Sequence, residues 1–118
     1  MKYTVEEKSF QFAVRIVNMV KYLSKQHCGF EMAKQILRSG TSIGANVTEA
    51  QQAQSRADFV SKLSIALKEA SETEYWLRLL RATNYLSQME YRSLFDDCKE
   101  LEKMLTAIIK TSKIEKSE

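Results

Sequence analysis

The 118-residue chain predicts an all-α fold, an antiparallel up-down-up-down four-helix bundle forming one domain over residues 1–118. Apolar residues recur at three- and four-residue spacing through nearly all of it, the period of a helix face. Ser/Thr-x-x-Asp/Glu boxes stand at Thr4–Glu7, Ser55–Asp58 and Ser87–Glu90, each ahead of an apolar run. Proline is absent and glycine occurs three times, too few for the reversals of a β-sandwich or barrel. A chain of this length buries roughly 65% of its unfolded surface, enough for one core.

The first helix opens on the Thr4–Glu7 box, where hydroxyl and carboxylate each satisfy a backbone N–H left free at a helix start. Its core stripe reads Phe10, Ala13, Val14, Val17 and Val20, and Gly29 is the expected break. The second helix spans Glu31 to Gln54 with Met32, Ile36, Gly40, Ile43, Val47 and Ala50 on one face. The third starts at Ser55 and turns Phe59, Leu63, Ala66, Leu67, Ala70, Leu77 and Leu80 inward. Asn84 and Tyr85 make a short turn. The fourth starts at Ser87 with Leu94, Cys98, Leu101, Leu105 and Ile108, and residues 111–118 read as a frayed polar tail.

Two helices carry more apolar surface than one stripe requires. On a neighbouring face of the first helix, Phe12, Ile16, Met19 and Leu23 repeat at spacings of 4, 3 and 4. On the third, Ile65, Glu69, Glu72 and Trp76 do the same, with Leu79 beside them. These nine residues are either a subunit interface or a sign that the bundle buries wider arcs. The second helix bears a polar line of Ser39, Ser42, Asn46 and Glu49, for which Lys62, Glu69 and Glu72 are candidate partners. Ser39, Ser42, Asn46, Glu49 and Lys62 read as a hydrogen-bonded packing seam or as the lining of a pocket. Gly40 and Gly44 would let a second backbone approach.

Several chemistries lack their residues. Cys28 and Cys98 are too few for a disulfide scaffold, which favours a reducing, cytoplasmic setting. No secretory leader is expected from the amphipathic sequence that follows Glu7, and there is no run of about 18 apolar residues. His27 is the only histidine, against a His-rich metal site. The run Ser39–Asn46 lacks the Lys-Ser/Thr of a phosphate loop. No catalytic residue, metal ligand or cofactor is nominated. The formal charge of +3 lies within residues 1–30, where Lys2, Lys8, Arg15, Lys21 and Lys25 face Glu6 and Glu7. Lys8, Arg15, Tyr22 and Lys25 form a basic strip with one aromatic: a weak nucleic-acid footprint or an ordinary solvated face.

The run from Arg38 to Leu80 carries Ser-Ile-Gly-Ala-Asn at 42–46, Glu49-Ala50, Ser55, Asp58-Phe59 and Lys62. It continues through Ile65-Ala66-Leu67-Lys68-Glu69-Ala70, Glu72 and Tyr75-Trp76-Leu77. Together these resemble the bacterial four-helix-bundle proteins noticed as reading frames inside intervening sequences of 23S ribosomal RNA genes. The resemblance spans essentially the whole chain. It implies an antiparallel bundle assembling as a homopentamer, without enzymatic activity. A similar pentameric bundle, the accessory protein of diversity-generating retroelements, binds nucleic acid and a reverse transcriptase, but this chain lacks its strong positive charge. The expected role is therefore an interaction module that binds RNA, DNA or a nucleic-acid-associated protein, with a structural ring for a protein partner as the alternative.

Overall fold

Helix starts fall where a side chain meets the free backbone N–H groups. The computed structural model describes residues 3–25 and 30–117. Thr4 N–H donates to Glu7 Oε1 at 2.9 Å and Glu7 N–H to Thr4 Oγ1 at 3.1 Å, opening α1 (Val5–Lys25). The same reciprocal pair, Ser87 N–H to Glu90 Oε1 at 2.9 Å and Glu90 N–H to Ser87 Oγ at 3.1 Å, opens α4 (Gln88–Ser117). At α3 (Arg56–Ala82), Asp58 N–H donates to Ser55 Oγ at 3.0 Å, while the Asp58 carboxylate takes the N–H of Gln54. α2 covers Phe30–Ala50. The expected break at Gly29, with His27 and Cys28, lies outside the described residues.

Two boundaries differ from expectation. α2 stops at Ala50 rather than Gln54. The N–H groups of Gln51, Gln52 and Ala53 turn to carbonyls three residues back, and this tightened end leads to the Ser55 cap. α4 does not fray at Thr111 but stays helical through Ser117. Leu101, Leu105, Ile109 and Ser112 continue one inward face, and Ser112 is buried. The α3 end matches its reading. Asn84 takes a left-handed φ of 68°, Tyr85 N–H reaches Leu80 C=O at 2.9 Å and Asn84 N–H reaches Arg81 C=O at 3.1 Å. That is the double-bonded C-terminal motif in which Asn can replace Gly.

Among the described residues all regular structure is helical, and the molecule measures 52 × 24 × 23 Å. α2 packs between α1 and α3, and α4 packs mainly on α3 and more sparsely on α1. Ile36, Ile43 and Val47 of α2 meet Leu63, Ala66, Ala70, Leu77 and Leu80 of α3 and Leu94, Cys98, Leu101 and Leu105 of α4 in one core. No described helix is long and apolar enough to cross a membrane.

The phase of α1 is the main correction. Phe12, Ile16, Met19 and Leu23, read as interface, are core residues of the single chain, whereas Phe10 and Val14, read as core, are exposed. Ala13, Val17 and Val20 are half-buried. The centres of the two stripes lie about 125° apart around the axis, so burying one fully leaves the Phe10–Val14 edge of the other outside. The partner surface selects between them. A Cβ on Gly40 would lie 2.9 Å from Cγ1 and Cγ2 of Ile16, and one on Gly44 would lie 3.3 Å from the Ser9 carbonyl oxygen. The glycines of α2 thus accept Ile16 and the α1 backbone at Ser9.

Candidate functional site

The polar line of α2 is engaged at every member. Ser39 is fully buried, and its hydroxyl lies 2.9 Å from that of Thr73, which donates to the Glu69 carbonyl at 2.8 Å. Ser42 donates to Arg38 C=O at 2.6 Å and Asn46 to Ser42 C=O at 2.8 Å, both within their own helix. Lys62 reaches across from α3 to Glu49 at 3.1 Å. Ser39 with Thr73 and Glu49 with Lys62 cross between α2 and α3, whereas Ser42 and Asn46 are occupied within α2.

Thr73 was absent from the sequence reading, although it falls in phase between Ala70 and Leu77. Arg38 was missed too. It ion-pairs with Glu69 at 3.2 Å and with Glu72, and Trp76 Nε1–H donates to Glu72 Oε2 at 2.9 Å. Arg38 and then Trp76 hold the Glu72 carboxyl below its usual range. Ile65 is exposed beside this network, and Leu79 is half-buried. The α3 part of the expected interface therefore stays at the surface, while its α1 part does not.

The basic strip on α1 is largely neutralised within the chain. Lys8 pairs with Glu100, and Arg15 contacts Asp97 at 2.6 Å and Ser93 Oγ at 2.8 Å. Tyr22 and Lys25 remain exposed. Above Phe10 lies a trough of about 280 Å³, lined by Phe10 and Ala13 of α1 and by Thr41, Gly44, Ala45 and Thr48 of α2. It is the apolar face that the exchanged stripe leaves outside.

Between α3 and α4, Lys99 Nζ bridges Glu74 at 2.9 Å and Glu102 at 3.5 Å, which brings the two carboxyls together. Burial, then Glu74, raises the Glu102 pKa; Glu102 and then Lys99 outweigh burial and lower that of Glu74. Burial pushes the neighbouring Cys98 thiol far up, and its Sγ–H donates to Ala70 C=O at 3.3 Å. Cys98 is thus a protonated core group. The folded state binds the Glu102 proton more tightly than the unfolded chain, so this stabilisation is complete below about pH 4.5 and is lost as pH rises through the raised value. Glu102→Gln is expected to remove that loss, so its melting temperature rises relative to the parent's as pH goes from acid to neutral. Equal pH slopes in a thermal titration would refute the assignment.

A family model described as 23S rRNA-intervening sequence protein matches residues 1–107. The chain belongs to that family. A crystal structure described as a protein with unknown function from the S23 ribosomal protein family of Bacteroides thetaiotaomicron VPI-5482 is 60% identical. It covers 91% of this chain and 99% of its own, with a TM-score of 0.89. None of the curated proteins matches. Within this family member, Ser-Ile-Gly-Ala-Asn at 42–46 has a structural account: Ile43 fills the core, Gly44 admits α1, and Ser42 and Asn46 bond to their own helix.

Proposed function

We propose that this family member is a non-catalytic, self-assembling interaction module, an antiparallel up-down-up-down bundle that repeats around a pentameric ring. The carrying observation is a pair of unlike apolar patches outside the core. One is the Phe10–Val14 face of α1 with the trough on α2; the other is exposed Ile65 with half-buried Leu79 on α3, beside Trp76, which packs partly against the core. Contacts between two different patches run head to tail and form a ring where the rotation between copies closes; closure and the number five come from the family resemblance. The antiparallel order is supported by pairs such as Ile16 with Gly40 and Ser9 with Gly44, Ser39 with Thr73 and Glu49 with Lys62, and Lys8 with Glu100 and Arg15 with Asp97. The occupied hydroxyls of the seam and the protonated Cys98 favour a role without catalysis, and a free buried thiol fits a cytoplasmic setting.

The ion pairs of Lys8 and Arg15 favour a protein-facing ring over nucleic-acid capture through α1. Phe10→Glu and Ile65→Asp are each expected to reduce the mass in solution to that of one chain without loss of helicity. Light scattering that returns one unchanged oligomeric mass for both variants, or a single-chain mass for the parent, would overturn the assembly.

A further inference from the structure

The geometry points to the cavity between the C-terminal end of α3 and the N-terminal end of α4 as a binding site for an unpaired nucleoside monophosphate unit. The cavity has a volume of about 390 Å³ and is lined by Tyr75, Arg78, Leu79, Arg81 and Ala82 of α3 and by Tyr91 of α4. That lies within the range of small-molecule sites, with room for one planar ligand and its substituent. The site shares Leu79 with the α3 patch of the assembly proposed above, contains none of Phe10, Val14 or Ile65, and is separate from the α1 strip.

Charge separates this cavity from the rest of the surface. Arg15, Arg38 and Arg92 each sit on a carboxylate. Arg81 donates only to neutral acceptors, Gln88 Oε1 at 3.0 Å and Leu86 C=O at 3.3 Å, so it is oriented but not neutralised. Arg78 makes no ion pair within the described residues, and the nearby Glu74 carboxylate is held by Lys99 at 2.9 Å. Two guanidinium groups therefore line one cavity with no ion pair on either, Arg78 acting on Glu74 only through space, and guanidinium is the side chain best matched to phosphate oxygens.

The rings supply the other half. Tyr75 is 54% exposed and is steadied by an edge contact with Trp76 at 5.1 Å; Tyr91 packs on Phe95 at 5.3 Å. Leu79 and Ala82 complete an apolar wall. Rings and an apolar wall suit a flat heterocycle, and the arginines suit an anion attached to it. Inorganic phosphate would leave the rings unused, and an apolar ligand would desolvate two guanidiniums without a partner. A base stacked inside a duplex could not reach the tyrosines. The shared chemistry is a base bearing one phosphate, whether a free nucleotide or an unpaired residue of a strand.

The test titrates the full chain with adenosine monophosphate, with a fluorescein-labelled single-stranded oligoadenylate, and with that strand annealed to its complement, at about 50 and 200 mM salt. Saturable binding of the single strand is expected, weakened about tenfold or more by Tyr75→Ala and by Arg78→Gln. Arg78→Gln should also flatten the log–log salt slope by about 0.7. Lys8→Gln should leave both unchanged. Circular dichroism confirms that the variants fold, as expected for exposed positions. Binding of adenosine monophosphate as well as the strand assigns a free-nucleotide site, and binding of the strand alone assigns an unpaired residue. Absence of saturable binding, equal affinity for the duplex, or unchanged affinity in both variants would overturn the proposal.

Discussion

Phe12→Ala is expected to destabilise the chain by about 3–5 kcal/mol, while Phe10→Ala changes its stability by no more than about 0.5 kcal/mol. The two phenylalanines stand two residues apart on one helix and differ in what surrounds them. Phe12 is 1% exposed within the core, and Phe10 is 68% exposed over the α1–α2 trough. Truncating Phe12 removes apolar area from the interior and leaves a cavity that the four helices refill only in part. Truncating Phe10 removes atoms that water already reaches. Urea unfolding in the Ile65→Asp background makes the comparison without assembly adding to apparent stability. Equal losses at the two positions would overturn the exchanged phase of α1.

Gly40→Leu should cost about 3 kcal/mol, with Gly40→Ala at about 1 kcal/mol, because two opposing effects act at one position. Alanine in place of glycine inside a helix gains roughly 1 kcal/mol in propensity. Against that gain, its Cβ would stand 2.9 Å from both Cγ1 and Cγ2 of Ile16, which is fully buried. Those atoms branch directly from Cβ and cannot swing aside as the end of a long side chain would. Overpacking of this kind costs about 1–3 kcal/mol and grows with the inserted volume, so the clash wins. Ile16→Ala should recover part of the Gly40→Leu loss, a coupling that a double-mutant cycle reads directly. A Gly40→Leu chain with the parental denaturation midpoint would contradict the close approach of α1 to α2.

Much of the fold was legible because its signals are local. Thr4 with Glu7 and Ser87 with Glu90 are reciprocal caps three residues apart, and Asn84 closes its turn with bonds to Arg81 and the preceding helix. The inward faces of α2, α3 and α4 each follow one dominant stripe, so their phase could be read directly. Gly40 and Gly44 announced a close backbone approach before its partner was known. The candidate site was less legible. Glu49 and Lys62 were named together and do pair, but Arg38 was given no role, and it organises Glu69, Glu72 and through them Trp76. Its exposed position gave no periodic signal.

By itself, the sequence determined three helix starts, the phases of α2, α3 and α4, and the family to which the chain belongs. Each depends on residues within a few turns of one another or on one continuous run. Only the tertiary structure decided which of two apolar faces α1 turns inward, and which charges remain available. A helix with two adequate stripes has no internal preference between them; the grooves at Gly40 and Gly44 on its neighbour make the choice. Likewise, part of the positive charge on α1 is an excess along the chain that is paired in space, since Lys8 meets Glu100 and Arg15 meets Asp97 from the far end of the sequence. Arg78 and Arg81 lie in a charge-balanced stretch yet face a cavity with no carboxylate bound to either, because the helix packing carries their acidic neighbours to other partners.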